Sequence, residues 1–445
     1  MSSGLNFFTN AVDVTPGTTG SWQDVDVSAH IPAESTGVIL FHCRTATNTI
    51  RVGVRKNGSS DDYYCETGNS VGIIIGVDAN RIFEAEIEDN TQSKLYLIGY
   101  TDSNVILFDN CIDKSTDTAG SYQDVDISGN GVPSGATGAI FFFHNTVAGA
   151  VDYDCALRKN GSSDDIYAEV EGETWGGILW GTSGLDANRV CEQKIESTYV
   201  DLKLIGYTNT PVVFLDNAVD KSLSTTGSWQ DIDLTSDTAA DADGAIFTIR
   251  NTLGTAYLYG LQHNDSTDDL IGYILTSSLE WRYVGLDSGQ VCKGYINNVA
   301  VDFYLRGYCH PATAVTEKTS SDVGSGAESK VLSAILVKAE TGSGVDAVDS
   351  LQTPMAKSAS DAGSGVEGTP LLGATLTGSE TGSGIEALVA RLLAAFDTGG
   401  GVEASSVETD GQLKNLFANE LGEGSDCLTA KIEMPTKGGG MRLWT

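Results

Sequence analysis

The clearest pattern in the chain is an alternation of apolar and polar residues with a period close to two. In residues 81–89 (RIFEAEIED), Phe83, Ala85 and Ile87 alternate with Ile82, Glu84, Glu86 and Glu88, which is close to the spacing of a half-buried β-strand. Residues 37–43 and 138–144 are nearly continuous apolar runs of strand length, as expected at the centre of a sandwich. Turn residues separate these runs. The pattern predicts an all-β fold of about eight short strands per copy, of two-sheet, jelly-roll kind.

Three copies of one unit follow each other along the chain. SWQDVDVS, SYQDVDIS and SWQDIDL begin at Ser21, Ser121 and Ser228, and RKNGSSDD, RKNGSSDD and QHNDSTDD begin at Arg55, Arg158 and Gln262. Each copy ends on an apolar strand, LYLIGY, LKLIGY or FYLRGY. Because the order of these blocks never changes, they indicate duplicated domains. We place three tandem jelly-roll-like β-sandwich domains at residues 1–105, 106–212 and 213–312.

The amino-acid composition changes at about Pro311. We interpret residues 313–430 as a glycine- and acid-rich repetitive arm. DVGSGAE, ETGSGVD, DAGSGVE, ETGSGIE and DTGGGVE recur there between stretches of small apolar residues. These stretches suit strands joined by glycine-rich turns. They are too small and too few to enclose a core within one chain, so we expect an elongated β-rich arm that orders against other chains or a particle surface.

Two parts of this region leave alternatives open. In residues 385–396 (IEALVARLLAAF) the apolar residues also follow helical spacing, so helix and strand remain equal alternatives. Residues 431–445 are a basic, aromatic tail on an acidic protein, and the tail is either a fraying terminus or a docking peptide. We take Lys437, Arg442 and Trp444 as the predicted assembly anchor, since a buried Trp is a typical interface hot spot.

Net charge narrows the classes of partner. The chain has 26 Lys and Arg against 60 Asp and Glu, a formal charge of −34. Such a surface repels phosphate backbones and anionic lipids, so we expect no nucleic-acid partner and no membrane partner. The first residues have no basic and apolar pattern of a secretory signal, and no apolar run is long enough to span a bilayer.

The eight cysteines show no CxxC pair and no common spacing. Cys191 and Cys292 share one repeat position, which in the first copy is Phe83. A position that accepts Phe or Cys indicates a buried apolar site, so we predict free core thiols rather than disulfides or a zinc site. Free thiols are typical of assembly in a reducing cytoplasm.

No residue set predicts catalysis, and we expect a non-enzymatic protein. The five histidines do not recur at matching positions. The carboxylate pairs of QDVDV and its copies, such as Asp124 and Asp126, resemble a glycosidase pair. However, residues i and i+2 of a strand share one face, so a solvated, exposed sheet surface explains the pairs more simply. We expect no hydrolase activity.

Calcium is the one cofactor the sequence suggests, at two kinds of place. The KNGSSDD loops offer several oxygen ligands, although loop composition alone also explains them. The arm units place two acids six residues apart around a glycine turn, where a cation would relieve their repulsion; solvated acidic turns are the alternative. The candidate ligands of the arm are Asp322, Glu328, Glu340, Asp346, Asp361, Glu367, Glu380, Glu386, Asp397 and Glu403.

Three tryptophans are candidate contacts for a glycan or a partner. Trp22 and Trp229 share a repeat position with Tyr122 and suit the edge of a sandwich core. Trp175, Trp180 and Trp281 instead lie in the stretch that diverges most between copies. Divergent aromatic residues on a repeated scaffold are where ligand contacts evolve.

Four blocks carry a resemblance to known proteins: W-Q-D-V-D from Trp22, R-K-N-G-S-S-D-D from Arg55, D-A-N-R from Asp78 and L-I-G-Y from Leu97, within residues 5 to about 310. With the acidic Gly-Ser-Gly units, the sequence resembles structural proteins of tailed-phage particles, of the fibre or head-decoration type. The resemblance implies a virion protein assembled in the host cytoplasm with other virion structural proteins. It implies a homo-oligomer, often a trimer, and no catalytic residues; a host-surface glycan is a further candidate partner.

Two other functions fit the same features. Tandem carbohydrate-binding or adhesin modules of a cell-surface protein would share the sandwich repeats, although a secretion signal would be expected. A filament or surface-layer subunit would need a complementary head-to-tail interface.

Overall fold

The computed structural model describes residues 3–311 except 47–49, 148, 150 and 173–176, with backbone alone at 65–67, and the backbone of strands between residues 318 and 432. The chain divides into two compact units, Met1–Ala312 and Thr313–Thr445. The described residues contain no helix. Among them, no helix is long and apolar enough to cross a membrane.

The first unit consists of three repeats with the same succession of eight strands. Repeat 1 contains β1 (Leu5–Asp13), β2 (Gln23–Asp26), β3 (Gly37–Arg44), β4 (Ile50–Lys56), β5 (Cys65–Thr67), β6 (Val71–Gly76), β7 (Ile82–Ile87) and β8 (Ser93–Thr101). Repeat 2 contains β9 (Val105–Asp113), β10 (Gln123–Asp126), β11 (Ala136–Asn145), β12 (Tyr153–Lys159), β13 (Ala168–Val170), β14 (Ile178–Gly184), β15 (Val190–Ile195) and β16 (Val200–Asn209). Repeat 3 contains β17 (Val212–Asp220), β18 (Gln230–Asp233), β19 (Gly244–Asn251), β20 (Tyr257–His263), β21 (Ile271–Ile274), β22 (Leu279–Gly285), β23 (Val291–Ile296) and β24 (Val301–Cys309).

Each repeat forms two antiparallel four-stranded sheets. In repeat 1 the strand orders are β1-β8-β3-β6 and β2-β7-β4-β5, and repeats 2 and 3 have the corresponding orders. The first strand of each repeat joins the last one, for example Leu5 opposite Thr101. The strands of the two sheets are therefore interleaved along the chain.

The amino-acid pattern explains these strands. Strand β8 alternates buried and half-buried positions along its whole length, whereas β3 is buried at every position. A strand buried on both faces needs a cover on each side. The second cover of β3 comes from outside its own repeat, and this is the first sign that the repeats pack closely together.

The cores of the three repeats meet, although most of repeat 3 also has a buried cluster of its own. The main cluster of buried apolar side chains extends through repeats 1 and 2 and includes Ile246, Leu279, Trp281 and Tyr283 of repeat 3. Strands β6, β14 and β22 hold the same place in the three repeats, and each of them contacts the other two. The six small sheets are thus organised as a ring, and repeat 3 meets repeat 1 as directly as it meets repeat 2.

The all-β prediction and the eight strands per copy are confirmed for the described part of the first unit. The picture of three separate sandwiches in series is corrected. Neighbouring repeats bury apolar faces against each other, so the ring is one packed body rather than a string of independent domains.

The second unit, the arm, is described by the backbone of its strands. They are β25 (Lys318–Asp322), β26 (Ala327–Leu332), β27 (Leu336–Glu340), β28 (Val345–Leu351), β29 (Ala356–Asp361), β30 (Val366–Glu367), β31 (Thr375–Glu380), β32 (Ile385–Leu388), β33 (Ala404–Ser405), β34 (Leu416–Glu420) and β35 (Asp426–Ile432). Up to β32, successive strands alternate between two sheets, with orders β25-β27-β29-β31-β35-β34 and β26-β28-β30-β32-β33. Pairing is parallel except at β31–β35 and β34–β35.

This alternation follows the repeated units of the sequence. Lys318 is opposite Leu336, and Ala356 is opposite Thr375, so each step across a sheet equals one unit. Of the segment with two alternatives, Ile385–Leu388 is a strand, and residues 389–396 lie outside the described residues.

Candidate functional site

The three tryptophans that the sequence marks as candidate glycan contacts lie in different situations. Trp281 is 1% exposed and Trp180 is 7% exposed, and Trp175 lies outside the described residues. Neither buried ring offers a face to a sugar from solvent. We therefore replace the glycan interpretation of Trp180 and Trp281 with a packing role between repeats.

Trp281 packs across the middle of the ring. Its indole Nε1 donates a hydrogen bond to the carbonyl of Thr182 in repeat 2, at 2.9 Å. A methyl group at Gly181 would meet the same indole, and one at Gly72 of repeat 1 would meet the backbone of Trp281 and Arg282. Where three copies meet, identical large side chains cannot all fit. The divergence of this stretch is explained by packing rather than by ligand selection.

The repeated NGSSDD loops join neighbouring repeats. At the first seam, between repeats 1 and 2, the Oδ1 of Asn110 accepts hydrogen bonds from the Ser60 backbone N–H (2.8 Å), the Ser60 hydroxyl (2.9 Å) and the Ser59 hydroxyl (3.0 Å). In the same place, Asp61 Oδ2 accepts the backbone N–H of Cys111 at 2.7 Å. We call this loop with its asparagine the clasp.

The clasp recurs at the other two seams. At the second seam, between repeats 2 and 3, Asn217 accepts from Ser162 and Ser163, and Asp164 accepts from Ala218. At the third seam, between repeats 3 and 1, Asn10 accepts from Ser266 and Thr267, and Asp268 accepts from Ala11. Repeat 3 thus binds repeat 1 as repeat 1 binds repeat 2, and this closes the ring.

A pair of glycines makes a slot at each seam. Gly37 and Gly76 are opposite each other on β3 and β6, and a methyl group on either would meet Leu107 of the next repeat. The same holds for Gly138 and Gly184 against Phe214, and for Gly244 and Gly285 against Phe7. Glycine is required because a side chain of the neighbouring repeat occupies the space of its Cβ.

Charge pairs strengthen two of the three seams. Lys56 Nζ lies 2.5 Å from Asp109, and Lys159 Nζ lies 2.6 Å from Asp216. The Lys56 ammonium holds the pKa of Asp109 below its usual 3.8. At the third seam the corresponding residues are His263 and Thr9. These pairs are exposed at their carboxylates, so each contributes little energy and chiefly fixes orientation.

The third seam contains buried charged groups. Arg282 is 1% exposed; its guanidinium lies 3.5 Å from the centre of the Phe41 ring of repeat 1, and donates to the Tyr259 hydroxyl at 3.3 Å. Tyr259 in turn donates to the carbonyl of Ser70 at 2.6 Å. Glu280 is fully buried beside them, and burial raises the pKa of its carboxyl well above the usual 4.5.

The carboxylate pairs of the QDVD blocks lie where the sequence predicts. Strands β2, β10 and β18 expose both acids and bury the residue between them. Asp26 accepts the backbone N–H of Ser28 at 2.8 Å, and Asp126 accepts that of Ser128 at 2.7 Å. One acid of each pair therefore ends its strand at a turn.

One histidine has a serine partner, but both are enclosed. His42 Nε2 and Ser93 Oγ are 2.6 Å apart, and both residues are 0% exposed. Burial lowers the pKa of His42 to about 3, and no substrate can reach the pair. Burial also raises the pKa of Cys43 and Cys111 to about 11, which makes these thiols poor nucleophiles at neutral pH.

The predicted buried position shared by Phe83, Cys191 and Cys292 is confirmed. Phe83, Cys191 and Cys292 are each 0% exposed, and the described cysteines are free thiols. The site is a packing position in all three repeats.

The oxygen atoms that suggest calcium in the KNGSSDD loops are used by the clasp and its neighbours: Asn57 donates to Asp78 at 2.9 Å, and Asp62 accepts from the Trp22 indole at 2.9 Å. Within the described residues, no three His, Cys, Asp or Glu side chains are placed to hold a metal ion.

The arm acids are described by backbone register alone. Asp322, Glu340, Asp361 and Glu380 follow one another across one sheet. Glu328, Asp346, Glu367 and Glu386 do so across the other. Asp397 and Glu403 lie outside the described residues, as do Lys437, Arg442 and Trp444 of the predicted anchor. Calcium at the arm stays a prediction.

Sequence reasoning missed the asparagines of the clasp. Asn10, Asn110 and Asn217 each precede the Trp22, Tyr122 and Trp229 position by the same interval. That recurrence was the available signal. It is weak because one amide carries no chemistry by itself, and its partner loop lies in another repeat.

No protein-family model matches the chain, and no curated protein matches it. Among solved structures, a chain from the atomic structure of Sulfolobus Turreted Icosahedral Virus is similar over 70% of this chain and 92% of that chain, at 10% identity and a TM-score of 0.17. A chain from the triple jelly roll fold and turret assembly of an archaeal virus covers 69% and 90%, at 10% identity and a TM-score of 0.18. The tandem CBM22 domains of Paenibacillus barcinonensis Xyn10C cover 69% and 98%, at 10% identity and a TM-score of 0.15. TM-scores this low assign neither fold nor function.

Proposed function

We propose that this chain is a non-enzymatic structural protein of a virus particle, of the fibre or head-decoration kind. The ring is the displayed body, and the arm with its basic tail is the element that assembles and attaches it. Each repeat is one jelly roll. The interleaved orders β1-β8-β3-β6 and β2-β7-β4-β5 support this, since two Greek keys folded into facing sheets give such an order.

The observation that carries the proposal is the closure of the ring by its own repeated motif. The repeated loop, NGSSDD in repeats 1 and 2 and NDSTDD in repeat 3, makes contacts between repeats: Ser60 with Asn110, Ser163 with Asn217 and Thr267 with Asn10. A motif that is repeated three times to hold a scaffold together is typical of a building block. A catalyst would instead present one exposed constellation in a cleft.

A direct test recovers the native assembly. Affinity-tagged chain, expressed in its natural host, should be isolated on regular particles, with gold label on the ring at repeating surface positions in electron micrographs. Recovery of the chain only as a free soluble protein would overturn the proposal. So would turnover of a glycan or ester that survives purification and disappears on Asp124→Asn.

A truncated chain tests whether the arm, and not the ring, attaches the protein to the particle. Chain lacking residues 313–445 should fold as a ring, because the cores of the first unit close within residues 3–311, and it should fail to join the particle. Normal incorporation of this fragment would make the arm a passive tether and would contradict the assembly role.

A further inference from the structure

One end of the ring exposes apolar side chains. Within the described residues, the most exposed large apolar side chains are Val151 (45%), Tyr199 (54%), Leu253 (46%) and Val299 (58%). All four lie in the loops that precede β12, β16, β20 and β24.

These loops form a continuous surface across the second seam. Ser277 donates its N–H to the carbonyl of Leu253 at 3.3 Å, and its carbonyl accepts the N–H of Glu169 at 3.1 Å. Tyr199 stacks with Tyr153 at 6.4 Å between ring centres. We call the surface made of Val151, Asp154, Glu169, Glu196, Tyr199 and Leu253 the rim surface.

The rim surface has carboxylates facing one another. Asp154 is directly opposite Glu169 on adjacent strands, an arrangement that is destabilising for like charges. Glu196 is the third acid, since its carboxylate accepts the backbone N–H of Asp154 at 3.0 Å. Burial, and then the charge of Glu196, raise the pKa of Asp154.

In repeat 1 the position that corresponds to Asp154 carries a positive charge. Its residue corresponding to Asp154 is Arg51, which is opposite Glu66 and lies 3.5 Å from Glu88. In repeat 3 the position is Leu258. Only repeat 2 places a third carboxylate where repeat 1 places a cation.

Two nearby cations, Lys194 and Arg250, offset part of this charge, since both act to lower the pKa of Asp154 against the effect of burial and Glu196, and both have further partners. Lys194 pairs with Asp165 at 3.1 Å and lies 4.3 Å from the Tyr167 ring centre, and Arg250 lies 5.2 Å from the same ring. The acids are not placed as a metal-binding group in this part of the chain. Acids spread beside exposed tyrosine and aliphatic groups suit an extended basic, aromatic segment.

We propose that the rim surface of one copy binds the basic segment 431–445 of a second copy, so that copies associate head to tail. This inference rests on the proposed structural function and names the partner of the tail. Its basic residues Lys437 and Arg442 follow the end of β35 at Ile432, and Trp444 is the only tryptophan after Trp281. Its charge is opposite to that of the rim surface, and its indole matches the exposed apolar groups there.

The test measures self-association of the full chain by sedimentation velocity over a range of concentrations. Asp154→Arg recreates the Arg51 arrangement of repeat 1, so it should keep the fold and weaken association at least about tenfold. Lys437→Glu combined with Arg442→Glu should weaken it similarly. The rim variant combined with the tail variant should associate better than either alone, because the charges are then exchanged. The matched control is Asp124→Asn, an exposed acid on another face.

Each outcome decides the inference. An unchanged urea midpoint with weakened association in both variants, and partial recovery in the combination, supports it. A monomeric wild type at all concentrations, or association unaffected by Asp154→Arg, overturns it. If Asp154→Arg associates and enters particles normally, this inference alone fails. If wild-type chain is never found in a regular assembly, the proposed function fails.

Discussion

The indole N–H of Trp281 is bonded to the carbonyl of Thr182, a residue 99 positions earlier and in a different repeat. The contact places the largest fully buried side chain of repeat 3 against Gly181 of repeat 2. It shows how three similar copies fill the middle of a ring, where one copy supplies bulk and another supplies space. The ring therefore needs its repeats to differ at this place while they agree at the seams.

Replacing Trp281 should loosen all three repeats. Trp281→Ala removes a side chain that is 1% exposed, and such changes cost about 3–5 kcal/mol of the free energy of unfolding. Hydrogen exchange should rise in β6 and β14 as well as in β22, because these strands meet around the indole. The control is Trp22→Ala, at a half-buried position on an outer edge. Faster exchange confined to repeat 3 would contradict the shared core.

The glycine slots predict a paired effect across the second seam. Gly138→Ala should destabilise the ring by about 1–3 kcal/mol, because its methyl would overlap the Phe214 ring. Adding Phe214→Ala should recover part of that loss, so the two changes are not additive. Gly135→Ala is the control, since its methyl would meet nothing. Urea unfolding of the four variants measures the coupling, and strict additivity would mean that the slot does not exist.

Removing the asparagine of a clasp should lower the free energy of unfolding by a moderate amount at each seam. Asn110→Ala removes the acceptor of three hydrogen bonds and should cost about 1 kcal/mol, since the site is exposed and water replaces part of the loss. Asn217→Ala should behave alike. Asn130→Ala is the control, because its Oδ1 has no hydrogen-bond partner. Equal urea midpoints for Asn110→Ala and Asn130→Ala would show that the hydrogen bonds of the clasp do not stabilise the ring.

Acid should weaken the ring through the aspartates that precede β7, β15 and β23. Burial acts to raise the pKa of Asp78, but hydrogen bonds from the Ile82 backbone and the Asn57 side chain outweigh it and hold the pKa below 3.8; Asp186 and Asp287 behave alike. A folded pKa below the unfolded value gives stability that is present above about pH 3.8 and lost as pH falls further.

Asp78→Asn should therefore lower the urea midpoint at pH 7 more than at pH 3, where the wild type has already lost much of this contribution. Asp24→Asn, on an exposed strand position, is the control. Buried Glu280 has a raised pKa and acts in the opposite direction. Because Glu280 is present in both proteins, the difference in urea midpoint between Asp78→Asn and the wild type reports the contribution of Asp78. If Asp78→Asn lowered the urea midpoint equally at pH 7 and pH 3, the ionised Asp78 carboxylate would not be the source of this stability.

The strands and repeats follow from the sequence because their cause is local. The alternation around Phe83 and Ile87, and the Asn57-Gly58 turn with Gly58 at φ +79°, depend on neighbours a few residues away. The buried Phe83, Cys191 and Cys292 position was found because two chemically different residues share only their apolar character.

The ring closure could not be predicted, because its contacts join distant positions. Thr267 and Asn10 are 257 residues apart, and nothing in either local sequence names the other. The glycan interpretation of Trp180 and Trp281 was wrong for a related reason. Divergence between copies has two physical causes, ligand contact and crowding where copies meet, and one sequence does not separate them.

The most direct test of the account is the distance across the third seam, which holds repeat 3 against repeat 1 without a direct chain connection. Spin labels on unnatural amino acids at the exposed positions Thr9 and Asp265 avoid the native cysteines. Because Asn10 accepts the N–H of Thr267 at 2.9 Å, we predict a narrow distance distribution centred below about 25 Å, label arms included. A domain of about 100 residues has a radius of gyration of about 13 Å. Three repeats in an open series would give a broad distribution beyond about 40 Å, and that result would contradict the closed ring.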